Sequence, residues 1–397
     1  MVKAYATVPI LLHSCTATAP SIRKPHIIHI LADDLGWADI GYHRSARDRD
    51  VQTPNLDAMM KSGIELDRFY VFQFCAPSRS AIQTGRSPIH VNVQNIGPET
   101  ANPLDLDGGW QGIPVNMTGV ASLLRKAGYR THMVGKWDVG MATMAHHPRA
   151  RGYESWLGYW HHSNDYWQHK VGRCGLEELR DLWRYDSDYD GPASDMANGP
   201  HCSQGNQAPS NETCVYEERV LTDRVKDVIH SHSASEPLFL FWSMHLVHYP
   251  LQVPREYLQK FAFIENSNRR HLHAMVNYMD DVVGEVVALL KTRGLWANAL
   301  VVFHSDNGGE IIFDGVCGGN NWPLRGGKFS NFEGGIRVNA FATGGFIEDA
   351  FGEASSPLVA TRGQCVPGGL AWGSLWPCLA TSLLLHWGSL QALVGSP

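Results

Sequence analysis

Cys75 heads the stretch Cys75-Ala76-Pro77-Ser78-Arg79, four residues ahead of a guanidinium. The alternating run Leu66 to Phe72 before it reads as a strand, Pro77 belongs in a first helical turn and Gly85 is a helix stop. Cys75 is therefore expected at a helix N-terminus. Free amides and the helix dipole there favour an anion, and an ionised or hydrated nucleophile over a neutral buried thiol. The bland alternative is a buried core cysteine, the commoner fate of a lone thiol.

Two acidic stretches point to a metal. Asp33-Asp34 end the apolar run Ile27 to Ala32, which suits a buried parallel strand. Adjacent carboxylates at such a strand end repel each other unless a cation lies between them, and open α/β sheets bind ligands in that crevice. Asp306-Asn307 sit on a Gly-rich turn after the apolar strand Leu300 to Phe303. Oxygens from Asp33, Asp34, Asp306 and Asn307 suit Ca²⁺ or Mg²⁺ over Zn²⁺. Lys136 follows the strand Tyr129 to Val134, where a lysine can ligate an oxyanion; most lone lysines are solvated charges.

The elements that must position these residues alternate between strand and helix. Helices are expected from Thr53, capping Pro54, to Gly63, over Val120 to Ala127, over Leu221 to His232, and over Arg269 to Gly294. The last has Leu272, Met275, Val276, Met279, Val283, Val286, Val287 and Leu290 near 3.6 spacing and reads as a core-facing helix. Its Asp280-Asp281 pair is expected on a solvated face. Pro237 to Met244 is a further strand, leading to His245-Leu246-Val247-His248. Residues 94–119 form a surface excursion. Residues 141–214, rich in Trp, Tyr, His and Gly, read equally as cleft walls and as packing.

Cys-x-Pro-Ser-Arg resembles the signature of the type I sulfatases, whose cysteine is oxidised to formylglycine. Asp33-Asp34-Leu35-Gly36-Trp37 looks like their calcium-binding start, and Thr53-Pro54-Asn55-Leu56-Asp57 has its counterpart too. Asn320 to Lys328 and Glu333 to Arg337 resemble the arylsulfatase B-like, N-acetylgalactosamine-4-sulfatase type. The resemblance runs from about His26 to Thr343. It implies an alkaline-phosphatase-like α/β sulfatase fold: a large, mostly parallel sheet flanked by helices, with the C-terminal subdomain largely missing. It also implies one calcium ion on Asp33, Asp34, Cys75, Asp306 and Asn307, and sulfate held by Lys136, His248 and Lys328. Family members usually read Gly-Lys-Trp-His; here Asp138 stands at the place of the active-site His, with nothing adjacent in sequence to restore it.

The implied reaction is hydrolysis of an aryl sulfate or a sulfated, glycosaminoglycan-like sugar. A hydrated aldehyde made from Cys75 attacks sulfur, Arg79, Lys136 and Lys328 neutralise the sulfuryl oxygens, His248 protonates the leaving alcohol, and Asp138 takes the place of the base. The alternative is a catalytically inactive sulfatase-like protein that binds sulfated glycans. A phosphate or phosphonate ester hydrolase on the same fold ranks third.

Composition agrees with an enzyme that draws its anion by local cations. The chain has 397 residues, 44% hydrophobic and 18% charged, and a net charge of −6, so it offers no polycation for nucleic acid. Eight cysteines with the sequons Asn116-Met117-Thr118 and Asn211-Glu212-Thr213 suit a secretory route, to the cell exterior or a lysosome-like compartment. A formylglycine-generating enzyme is then an expected partner, and membrane association is not expected. Cys174, Cys202 and Cys214 suggest a local disulfide of open pairing. Residues 1–24 read as a weak leader, 25–345 as the catalytic domain, and 346–397 as a divergent tail. Loss of later strands is expected to leave a central strand as an edge.

Overall fold

The computed structural model describes residues 24–359, apart from 46–47, 96, 98–99, 101–110, 172–178, 194–195, 197–201, 203–212, 313–316 and 352–357. Residues 1–23 of the expected leader, most of the expected tail, Cys174 and the sequon Asn211 therefore lie outside the described residues. Asn116 is exposed, and Cys202 is joined to Cys214.

The strands are β1 His26–Ala32, β2 Ile64–Glu65, β3 Arg130–Gly135, β4 Ser155–Gly158, β5 Trp183–Tyr185, β6 Asp190–Pro192, β7 Leu238–Ser243, β8 Ala299–Ser305, β9 Ala340–Thr343 and β10 Leu358–Val359. The helices are α1 Pro54–Lys61, α2 Cys75–Thr84, α3 Val120–Lys126, α4 Glu217–Ser231, α5 Arg255–Lys260, α6 Ser267–Thr292, α7 Glu333–Ile336 and α8 Gly345–Phe351. One mixed sheet runs in the order β10-β2-β9-β8-β1-β7-β3-β4-β5-β6. Its centre, β8-β1-β7-β3-β4, is parallel. All five strand ends therefore open onto one edge of the sheet, and that edge carries the chemistry.

Both faces of the centre are buried, as near-continuous apolar strands require. Ile28, Ile30, Leu240, Trp242, Val301 and Phe303 face one way, onto α4 and α6. Ile27, Leu31, Met133, Phe239 and Phe241 face the other. All eight apolar positions expected on the core face of α6 are buried. Its N-terminus is capped by the Asn266 side chain, which accepts from Arg269 N–H.

Four expectations are corrected. Leu66 to Phe72 does not form a strand: only Tyr70 bridges, to Arg337, because the segment turns at once toward α2. The Thr53 side chain does not cap α1; it accepts from Gly41 N–H and donates to Asp57. Asp280 does that work instead. Fully buried, it accepts from the N–H groups of Asn55 and Leu56 across the α1–α6 contact, so it is not on a solvated face. Among the described residues no central strand is left bare: β8 is covered by β9, which pairs with β2, and β2 with β10. The aromatics of 153–167 settle mainly as packing, with Tyr153, Trp156, Tyr159 and Tyr166 buried.

Candidate active site

The strand ends and the start of α2 deliver the side chains. After β1, Asp33 donates its N–H to the carbonyl of Leu246 and accepts from Val247 N–H, which ties it to the loop after β7. Asp34 takes a left-handed backbone, φ 59°, and turns its carboxylate back toward β8. After β8, Asp306 N–H donates to the Ala32 carbonyl. After β3, Gly135 has φ +99°, and a Cβ there would strike the carbonyl of Ser243; only glycine lets the chain turn there to present Lys136. Cys75 is the first residue of α2, with Phe74 as its N-cap and Gly85 as its left-handed stop.

These residues meet in a buried cluster. Asp33, Asp34, Cys75 and His248 bring one ligand atom each within 4.8 Å of one another. Lys136 Nζ lies 2.7 Å from Asp33 Oδ2, and Lys328 Nζ lies 2.7 Å from Asp34 Oδ2. Arg79 donates from Nε to Asp306 Oδ2 at 2.9 Å and from a terminal nitrogen to Ser243 Oγ at 2.6 Å, and another terminal nitrogen lies 3.3 Å from Asp33 Oδ2. Asn307 Nδ2 donates to Asp34 Oδ1 at 2.7 Å. His248 Nε2 lies 3.2 Å from Lys328 Nζ and 3.6 Å from Asp34 Oδ2. The structure thus brings together Asp33, Asp34, Cys75, Arg79, Lys136, His248, Asp306, Asn307 and Lys328. Asp138 stands one step away, its Oδ2 3.7 Å from Lys136 Nζ.

Burial sets the electrostatics. The Cys75 thiol is pushed well above its ordinary range by burial and by Asp33, against the pull of Lys136 and Lys328. Contrary to the expectation for a helix N-terminus, the unmodified residue is therefore a neutral thiol: one helix dipole does not offset full desolvation beside a carboxylate. Desolvation lowers the values of Lys136 and Arg79, but the facing carboxylates, Asp33 for the lysine and Asp306 with Asp33 for the arginine, hold both above their ordinary values. Burial, with Lys328 and Lys136 alongside, drives His248 well below its ordinary value. Burial would raise Asp138, yet His162, Lys136 and Arg79 bring it down to about 2.

Several residues of the site carried no sequence signal. Ser243 Oγ accepts from Arg79 and donates to the Lys136 carbonyl, linking two cations of the site. Glu218, at the head of α4, accepts from the N–H groups of His245 and Leu246 and so fixes the loop that presents His248. His245 itself is turned away, its Nδ1 2.9 Å from Glu217 Oε1. Glu310, raised to about 7 by burial and by Asp34, adds a carboxyl on the Lys328 side. His162 Nδ1 lies 2.7 Å from Asp138 Oδ1, so a histidine does stand beside the position where adjacent sequence offered none. Its separation of 24 residues hides it in the sequence; the parallel register of β3 and β4 closes the gap.

Mouse arylsulfatase J is 36% identical over 324 residues, covering 80% of this chain and 48% of that protein. Human N-acetylgalactosamine-6-sulfatase is 31% identical over 325 residues, covering 81% and 57%. The chain therefore spans about half the length of these relatives. The solved structure of Ps i-CgsB superposes with a TM-score of 0.66 at 30% identity, over 81% of this chain and 66% of that one. Its complex with k-i-k-neocarrahexaose gives 0.65 at 29%, over the same shares. With the sulfatase model matching residues 25–360, most of its length, the chain belongs to the sulfatase family.

Proposed function

We propose that this protein hydrolyses sulfate esters, with a formylglycine made from Cys75 and one bound calcium ion. A single observation carries the reading: three buried cations, Arg79, Lys136 and Lys328, converge with Asp33, Asp34, Asp306 and Asn307 on the first residue of α2. Fixed cations in a water-excluded pocket can hold an oxyanion whose charge shifts during reaction.

The donor set fits calcium. Asn307 Oδ1 is buried without a hydrogen-bond partner among the described residues, and it stands beside hard carboxylate oxygens. Asp33, Asp34, Asp306, Asn307 and the oxidised side chain at position 75 would hold the ion. Calcium supplies a fixed double charge for the sulfuryl oxygens, and the hydrated aldehyde supplies an oxygen nucleophile with a second hydroxyl.

The remaining steps belong to the chain's own side chains. Lys136 and Lys328 each bind a sulfuryl oxygen, and Arg79 holds Asp33 and Asp306 in place. His248 faces the leaving oxygen; since burial holds it neutral, an anionic ester beside it is what would restore its proton for donation. A sulfated sugar is the proposed substrate class, in keeping with the names of the relatives. The disulfide and the exposed Asn116 support passage through the secretory pathway, where a formylglycine-generating enzyme acts as a partner.

One observation favours a second reading, binding of sulfated glycans without turnover: Asp138, held near 2, is a poor proton acceptor around neutrality. Aldehyde-bearing protein assayed on a chromogenic aryl sulfate and on a sulfated oligosaccharide separates the two. Calcium-dependent release of sulfate supports the hydrolase; saturable binding with no release supports the second reading.

A further inference from the structure

We propose that Asp138 and His162 act as one unit at the Lys136 end of the site, Asp138 positioning the imidazole and His162 serving as the proton acceptor. The inference rests on the sulfate-ester reading and assigns the base within it.

The backbone builds the pair. β3 and β4 run parallel with Val134 beside Leu157, and the pairing continues past both strands: Trp137 N–H donates to the Tyr159 carbonyl and Asp138 N–H to that of Trp160. This register sets Asp138 level with His161, and His162, one residue further on, turns its ring back to the Asp138 carboxylate. Asp138 takes φ 54°, a left-handed conformation that costs a non-glycine residue about 1 kcal/mol. The bend turns its carboxylate between Lys136 and His162, with Oδ2 3.7 Å from Nζ and Oδ1 2.7 Å from Nδ1.

The pair is separate from its neighbours. His161, next in the chain, is matched to Asp181, its Nδ1 2.7 Å from Oδ2. Asp181 also accepts from the N–H groups of Trp160 and His161, so it is committed to the loop. The charged groups facing Asp138 are His162, Lys136 and Arg79; the carboxylate facing His162 is Asp138.

The chemistry follows from which nitrogen is open. Nδ1 is the nitrogen 2.7 Å from Asp138 Oδ1, so a proton held on that side leaves the Nε2 lone pair free, and Nε2 is covered with no hydrogen-bond partner among the described residues. A proton released in the pocket adds to Nε2, Nδ1–H stays with Asp138, and the imidazolium formed is stabilised by that carboxylate. Asp138 need not take the proton, which its position near 2 makes unfavourable at neutral pH. The His162 side chain as a whole is 24% exposed, which places the ring at the margin of the buried cluster.

Two readouts test this. In full-length protein with Cys75 unmodified, the ring of His162 is followed by ¹⁵N nuclear magnetic resonance against pH; Asp138→Asn is expected to lower its titration midpoint by about one pH unit or more. In aldehyde-bearing protein, His162→Gln is expected to lower kcat on a small aryl sulfate about 100-fold, with KM changed less than about threefold. Asp138→Asn should move the acid limb of the kcat profile to lower pH in step with the midpoint, which a merely structural role would not do. An unmoved midpoint, or a His162→Gln enzyme with kcat within about threefold of the parent, overturns the proposal and leaves the hydrolase reading intact. An aldehyde-bearing parent that releases no sulfate from any ester overturns the hydrolase reading and the acceptor role together, and a midpoint still coupled to Asp138 then marks the pair as structural.

Discussion

Lys328 Nζ lies 2.7 Å from Asp34 Oδ2, 294 residues apart in sequence, and this pair closes the site between the loops after β1 and β8. A buried ammonium bound to one carboxylate is poised to share itself with an incoming anion, and such charge-assisted bonds contribute about 1.5–3 kcal/mol. Lys328→Ala is therefore expected to lower kcat/KM on a small aryl sulfate by roughly 10- to 100-fold. Calcium affinity by titration calorimetry should not fall, since the substitution removes a cation competing for Asp34. Unchanged kcat/KM would remove Lys328 from the site.

Calcium should stabilise the fold even with Cys75 unmodified, because the folded state alone assembles the four oxygen donors. At a hundredfold excess over Kd the gain is about 2.7 kcal/mol, enough for a clear rise in Tm. Asp34→Asn and Asn307→Ala should each abolish most of that rise. If both variants retain the full rise, the ion is bound elsewhere.

The site was legible in sequence wherever its residues stand at strand ends, because an apolar run followed by Asp-Asp, Gly-Lys or Asp-Asn announces both the strand and the edge it faces. Ile27 to Asp34 and Leu300 to Asn307 are of this kind. The rest depends on contacts between distant segments. Nothing near Thr53 reveals that Asp280, more than two hundred residues later, caps α1. Nothing near Asp138 reveals His162, since a parallel pair places residues side by side without placing them near in sequence. The fate of the Cys75 thiol was missed for another reason: a helix start is visible in sequence, whereas full burial beside Asp33 is not.

Maturation of Cys75 should require the unfolded chain. The side chain is 1% exposed at the head of α2, so an oxidising enzyme cannot reach Sγ in the folded protein. Protein made in a eukaryotic secretory host should carry an aldehyde at position 75, read by mass spectrometry of the peptide holding Cys75 to Arg79. Folded cysteine-bearing protein given a formylglycine-generating enzyme afterwards should stay a thiol, while the denatured chain should convert. Only thiol in the host-made protein would remove the nucleophile from the mechanism.

Asp280 gives a stability prediction with a definite sign. Burial raises its carboxyl from the ordinary 3.8 to about 6, with the N–H groups of Leu56 and Asn55 holding it from rising further. Between those values the folded protein binds the proton more tightly than the unfolded chain does. The contribution is thus fully present below about pH 4 and is lost as pH rises through 6. Asp280→Asn keeps an acceptor for the α1 amides but does not ionise, so it serves as the reference. The stability of the parent relative to this variant, from urea unfolding, should fall by up to about 2–3 kcal/mol between pH 4 and pH 7 and then level off. Asp280→Ala, which leaves the amides of α1 uncapped, should lose a further 1–2 kcal/mol or so at pH 7. A parent advantage that grows with pH would mean that the carboxylate caps α1 better charged than neutral, and that its bonds to Asn55 and Leu56 outweigh the cost of burying it.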